Sequence, residues 1–246
     1  MSHHLTALIT GANKGIGLAI ARQLGERGYA VWLGCRDAAR GEAAAAELCR
    51  AGLNAQALIL DVTDAGSVAA ARDRLEQEID SLDALINNAG ISIGMPMRAS
   101  EESVDDMRAI FEVNTLGPIT VTQALLPLLR RSKAARIVMM SSSLGSIAEA
   151  TDITSLTWTV GYAGYCASKS ALNMLTVKLA KELLAEGIKV NAANPGFTAT
   201  DLNEHTGYRT VEDAAAVAVE LATLGPMGPT GGFFHDSHAA QFRHPW

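Results

Sequence analysis

The segment Leu5-Thr-Ala-Leu-Ile-Thr-Gly-Ala-Asn-Lys-Gly-Ile-Gly17 constrains this chain more than any other. A strand-like apolar run passes without a break into a glycine turn, and a helical pattern starts at once. A strand that empties through glycines into a helix aims free backbone N–H groups, and the positive end of the helix dipole, at one point. That point suits an anion. Glycine lets the backbone take a positive φ and lets a phosphate come close. The glycines are Gly11, Gly15 and Gly17, spaced Gly-x-x-x-Gly-x-Gly rather than Gly-x-Gly-x-x-Gly. The segment predicts a seat for a dinucleotide pyrophosphate.

The alternation of apolar runs and helical patterns continues along the chain. Strands are expected at 5–10, 29–34, 55–60, 82–87, 136–140, 188–193 and 232–235. Helices are expected at 15–27, 38–51, 64–79, 101–131 and 162–186, with a further one from Thr210. Asp64 is read as a helix cap. Pro118 and Pro127 are expected to kink or interrupt the helix over 101–131. Repeated strand–helix–strand units require a parallel sheet covered on both faces. The fold class is therefore α/β, a Rossmann-type doubly wound parallel sheet of about seven strands, in a single domain over 1–246.

Bulk properties exclude several functions. With 48% hydrophobic and 19% charged residues, the chain is globular rather than disordered. The net charge of -6, without a basic stripe, argues against nucleic acid. The apolar runs are strand-sized, so no transmembrane helix is expected. The first residues lack the basic start and apolar stretch of a signal peptide. Cys35, Cys49 and Cys166 have neither metal nor redox spacing and read as reduced thiols of a cytoplasmic protein. His235 and His238 have helical ligand spacing, but no cysteine or acid cluster completes a site, and no metal is expected.

The end of the second strand bears on the cofactor. An acid there would hold the ribose hydroxyls of NAD. This chain reads Gly34-Cys35-Arg36-Asp37 instead. Arg36 offers a planar fork for a phosphate, and Lys14 in the glycine turn adds a second cation. The pair predicts a ribose 2′-phosphate, hence NADPH/NADP+. The alternative is a solvated Arg36 paired with Asp37. Asp61, after the third strand, has a carboxylate suited to the adenine amino group, or to capping a loop. The small residues of Asn87-Asn88-Ala89-Gly90 let a cofactor lie across the sheet edge.

Tyr165-Cys-Ala-Ser-Lys169 puts a phenol and an ammonium four residues apart, on one face of a helix. With the glycine turn, Asp61, Asn87 to Gly90, Asn114, Ser142 and Pro195-Gly196, the chain resembles the short-chain dehydrogenase/reductase family over essentially its whole length. Asn13-Lys14, Cys35-Arg36-Asp37 and Pro195-Gly-Phe-Thr-Ala-Thr-Asp201 resemble its NADPH-dependent carbonyl reductase branch. The resemblance implies a small carbonyl substrate reduced by hydride transfer, with no membrane or nucleic acid involved. It makes Tyr165 the general acid, Lys169 the cation that favours phenolate and contacts the ribose, and Asn114 the carrier of a water-linked proton relay. A free phenol titrates near about 10, so a neighbouring cation has work to do.

Ser142 is aligned as the hydroxyl that polarises the carbonyl, although spacing alone does not exclude Ser141 or Ser143. The cofactor surface implied comprises Gly11, Asn13, Lys14, Gly15, Ile16, Gly17, Arg36, Asp61, Val62, Asn88, Ala89, Gly90, Tyr165, Lys169, Pro195, Gly196, Thr198 and Thr200. Thr198 departs from the branched apolar residue common there. Competing expectations are an NAD(P)-dependent alcohol dehydrogenase working oxidatively, and an inactive NADP-binding sensor.

Ser142 and Tyr165 are 23 positions apart, more than the family spacing. The extra segment 146–160 is expected to loop out beside the site, with Leu156 and Trp158 as a substrate wall or a packing lid. An insertion here accompanies monomers in related reductases, so the chain is expected as a homo-oligomer or a monomer. The loop from 197 to 209 is short, which implies an open pocket.

Overall fold

Both faces of the strands are covered, and for that reason they read as continuous apolar runs rather than alternating ones. The computed structural model describes residues 5–94, 97–235 and 243–246. The first half runs β1 (Thr6–Thr10), α1 (Gly15–Glu26), β2 (Ala30–Cys35), α2 (Ala38–Arg50), β3 (Ala55–Ile59), α3 (Ala65–Glu78), β4 (Ala84–Asn87), α4 (Val104–Phe111) and α5 (Gly117–Arg131). The second runs β5 (Arg136–Met140), α6 (Ile147–Ala150), α7 (Ala163–Glu182), β6 (Lys189–Asn194), α8 (Val211–Ala222) and β7 (Phe233–His235). One seven-stranded sheet forms, ordered β3-β2-β1-β4-β5-β6-β7. Its neighbouring strands pair in parallel throughout. The chain winds outward from β1 to β3, crosses back, and winds the other way from β4. That reversal opens a crevice at the carboxyl ends of β1 and β4, where such sheets take their ligands.

Helices α1, α2 and α8 cover one face through Ile20, Leu24, Leu48, Val219 and Leu221. On the other face α3, α5 and α7 pack through Leu75, Leu125, Leu128, Leu172 and Leu179. Each such side chain contributes about 1.5–3 kcal/mol by leaving water. Helix starts are capped locally: Asp37 accepts from Arg40 N–H, Asp64 from Gly66 N–H and Thr210 from Asp213 N–H.

The helix expected over 101–131, with a kink or interruption at its prolines, is two helices. Ser103 caps α4, α4 ends at Phe111, a π-helical turn spans Glu112–Leu116, and α5 begins at Gly117. Pro118 explains the break. It has no N–H to direct at the Asn114 carbonyl, so an unbroken α-helix would lose a bond there. Instead Gly117 N–H reaches back to the Glu112 carbonyl, and Pro118 falls in the first turn of α5, where proline is tolerated. Pro127 does not interrupt α5. The expected helix over 162–186 also ends early, at Glu182, with a separate 3-10 turn at Leu184–Glu186.

The segment 146–160 is not all loop, because its first residues form α6. Ser146 caps α6, and Ala148 N–H donates to the Trp246 carbonyl at 3.0 Å. Trp246 stacks on Phe233 of β7, and His244 Nε2 lies 3.1 Å from Glu149 Oε1. Residues 244–246 thus tether the start of the insertion to the sheet edge. Beyond α6, Leu156 is 95% exposed and Trp158 is 51% exposed.

Candidate active site

The glycine turn has the shape its sequence demands. Gly11 and Gly15 take positive φ values of 65° and 57°. A Cβ on Gly17 would stand 2.5 Å from the Gly11 carbonyl oxygen. The turn is braced against the end of β4: Asn88 and Ala89 N–H both donate to Thr10 Oγ1 at 2.9 Å, and Asn88 Nδ2 donates to the Thr10 carbonyl at 2.9 Å. Asn87 lies inside the sheet and donates to Thr122 Oγ1. A cleft of about 830 Å³ opens over the turn at the β1/β4 reversal. Asn13, Lys14, Ile16, Arg36, Asp61, Val62, Gly90 and Thr200 line it with the glycines. A backbone cradle with glycines at positive φ and no room for a Cβ at Gly17, at the start of a helix, fits the pyrophosphate of a dinucleotide.

Arg36 is exposed at the end of β2 and has no ion pair among the described residues. Asp37, its expected alternative partner, instead caps α2 and pairs with Arg40 at 3.4 Å. Lys14, the second expected cation, pairs with Asp201, which also accepts from His205 Nε2 at 2.8 Å. These two partners hold the Asp201 carboxyl below its usual range. Asp61 uses one oxygen for an Asx turn, accepting from Thr63 N–H at 2.9 Å and Thr63 Oγ1 at 2.8 Å.

The loop after β6 is short but structured. Gly196 has φ 73°, and a Cβ on it would lie 2.8 Å from Arg209 Cδ. Thr198 is buried and its hydroxyl lies 3.2 Å from the carbonyls of Pro195 and Gly196, so it braces this turn. Thr200 forms a reciprocal capping box with Asn203. Its Cγ2 lies 4.0 Å from the Cβ position of Gly15, so the loop leans over the glycine turn.

At the other end of the crevice, α7 carries Tyr165 and Lys169. The Tyr165 phenol faces the side chain of Ser142, at the end of β5. Ser141 is turned away, donating to Asn173 Oδ1 at 2.6 Å. Lys169 Nζ lies 5.6 Å from the centre of the Tyr165 ring and donates to the Met140 carbonyl at 2.8 Å. Asn114 accepts from Ile91 N–H at 2.8 Å and donates to the Ile91 carbonyl and to Ser168 Oγ. A Cβ on Gly90 would stand 3.4 Å from Asn114 Oδ1 and 3.5 Å from Lys169 Nζ, so both groups close on that glycine. Asn114 stands in the π turn and is buried there.

Burial sets the electrostatics. It pushes the Tyr165 phenol up to about 12, with the Ser142 side chain pulling the other way. It drives the Lys169 ammonium down to about 8. The net direction at Tyr165 is therefore opposite to the lowering expected from a neighbouring cation. A phenol so placed holds its proton at neutral pH, as a general acid must.

Sequence reasoning overlooked the braces. Asn173 Nδ2 and Ser170 Oγ both donate to the Gly145 carbonyl, clamping the Ser142 turn onto α7. Ser168 Oγ ties Asn114 to the Tyr165 carbonyl at 2.7 Å. The signal was present: Ser168, Lys169, Asn173 and Thr176 put polar groups at helical spacing on a buried face of α7. His238 lies outside the described residues, and among those described no cluster of three or more His, Cys, Asp or Glu is arranged to hold a metal.

With this geometry, known proteins resemble the chain closely. A sequence model of the short chain dehydrogenase family matches residues 5–209. Short-chain dehydrogenase/reductase 1 of Saponaria officinalis is 34% identical, over 93% of each chain. The NADPH-bound carbonyl reductase from chicken fatty liver superposes with a TM-score of 0.84 at 29% identity, covering 99% of this chain and 100% of its own. A 3-oxoacyl-[acyl-carrier protein] reductase with bound NAD, from Brucella melitensis, gives 0.80 at 30% identity, over 95% and 90% of the two chains.

Proposed function

The chain belongs to the short chain dehydrogenase family, and from that premise we propose an NADPH-dependent reductase of ketones or aldehydes. As a member it is an oxidoreductase that binds a nicotinamide cofactor and a small-molecule substrate. The observation that carries the finer reading is the approach of the Ser142 side chain to the Tyr165 phenol, beside a buried Lys169. NADPH, when bound, supplies the hydride. The glycine turn would hold its pyrophosphate, Arg36 its 2′-phosphate, and Lys169 its nicotinamide ribose.

The chain's own groups handle the carbonyl oxygen. Ser142 donates a hydrogen bond that polarises it. Tyr165 gives up its phenolic proton to it as the alcohol forms. Positive charge on Lys169 eases that transfer by stabilising the phenolate left behind. Asn114, fixed by Ile91 and Ser168, borders Lys169 at Gly90 and is suited to hold the water that returns the proton. The three described cysteines are free, in keeping with a cytoplasmic enzyme.

A panel of ketones, aldehydes and diketones, followed by NADPH absorbance, identifies the substrate class. With a turned-over substrate, Tyr165→Phe is expected to lower kcat about a hundredfold or more while leaving NADPH affinity unchanged. A variant that keeps more of its rate sinks the general-acid role. Equal use of NADH by the wild type sinks the cofactor assignment.

A further inference from the structure

Helix α7 begins without a cap of its own. Its N-cap residue, Tyr162, sits in the left-handed region at φ 58° and ψ 49° and makes no side-chain cap. A helix start leaves backbone N–H groups without intrahelical partners. One of them is met from far away in sequence: Gly164 N–H donates to Glu102 Oε2 at 2.9 Å, from 62 positions along the chain. The approach requires glycine, because a Cβ at 164 would stand 2.5 Å from Glu102 Oε1 and 3.0 Å from Met107 Cγ. Glu102 Oε1 is enclosed and makes no hydrogen bond among the described residues. A carboxylate at this end of a helix is further favoured by the dipole.

Tyr165 follows Gly164 directly and lies in the first turn of α7. We propose that Glu102 is a positioning residue that sets Tyr165 against Ser142 by capping the catalytic helix from the segment preceding α4. The proposal rests on the reading of Tyr165 as the general acid. The first turn of a helix frays when its cap is lost, and Tyr165 travels with that turn. Lys169, one turn further on, is held separately by the Met140 carbonyl. The cap therefore governs the phenol more than the groups that bind cofactor.

The test uses the full chain with NADPH and a substrate from the panel, each variant's fold being checked by its melting curve. Glu102→Ala is expected to lower kcat about tenfold or more, with KM and NADPH affinity within about twofold, since misplacement by about 1 Å costs up to ~10²-fold. Glu102→Gln keeps an acceptor in place and is expected to recover kcat to within about threefold. Gly164→Ala improves helix propensity, yet its methyl displaces the carboxylate, so kcat is expected to fall as in Glu102→Ala.

If Glu102→Ala fails to fold, the other two variants decide. Wild-type kcat in Glu102→Ala or in Gly164→Ala overturns the proposal. So does Glu102→Gln as impaired as Glu102→Ala, or losses shared equally among kcat, KM and cofactor affinity. Tyr165→Phe, measured alongside, separates the two readings. Turnover in that variant fells the general-acid role, whereas a dead Tyr165→Phe with normal Glu102 variants fells only the cap.

Discussion

The guanidinium of Arg36 stands exposed at the end of β2, free of the Asp37 pairing that would have made it ordinary surface charge. Cys35 beside it is buried and brings no acid to meet ribose hydroxyls. Lys14, by contrast, is engaged by Asp201. Of the two cations expected to meet a 2′-phosphate, Arg36 is the one without an ion pair among the described residues. A charge-assisted contact of this kind contributes about 1.5–3 kcal/mol, so Arg36→Ala is expected to weaken NADPH binding roughly ten- to hundredfold and to spare NADH. Fluorescence titration with both cofactors checks this; unchanged NADPH affinity would move the phosphate to another group.

Buried Lys169 and half-buried Tyr165, at the other end, set a pH dependence. Lys169, driven down to about 8, loses its proton as pH rises through that value, whereas Tyr165, pushed up to about 12, keeps its own. The reductive kcat is expected to be highest below about pH 8 and to fall above it, because the charge that stabilises phenolate disappears. A kcat profile flat from about pH 7 to about pH 10 would contradict a charged Lys169 in the step.

Among elements, the segment 146–160 is the one expected to loop out beside the site. Its start is a capped helix tethered by residues 244–246, and its remainder carries Leu156 and Trp158 largely exposed. The ends of the segment are tied to Ser142 and Tyr165, whose side chains face each other, so the segment cannot stray far from the mouth. Trp158→Ala is expected to raise KM for bulky aromatic ketones more than for small aliphatic ones, by about tenfold for a lost aromatic contact. Equal changes for both would mean general destabilisation, and no change would place Trp158 outside the pocket.

Strands and their helices were legible because burial on both faces leaves unbroken apolar runs, and caps such as Asp64 and Thr210 mark the starts. Two prolines offered an interruption of the helix over 101–131, and it falls just before Pro118 and not at Pro127. Only the packing around Asn114 shows which one matters.

For the whole molecule, the crevice at the β1/β4 reversal spans the two halves of the winding. A cofactor seated there touches both, so binding should be felt by the entire fold. At about a hundredfold excess over its Kd, NADPH is expected to stabilise by about 2.7 kcal/mol, which raises Tm by roughly 5–10 °C for a chain of this size. NADH at the same concentration should give a smaller shift, and Arg36→Ala should bring the two together. Equal shifts in the wild type would contradict the assigned preference.

Local order in the chain determined the doubly wound sheet, the glycine cradle and the Tyr165/Lys169 spacing. Each depends on neighbours in sequence: a strand next to a glycine, or two residues one turn apart. Tertiary structure alone decided which of three serines meets the phenol, that Lys14 is held by Asp201, and that Glu102 caps α7 from 62 residues away. Those contacts join segments distant in sequence. Their partners are chosen by how helices and turns pack against the sheet, and no periodicity or spacing along the chain records that choice.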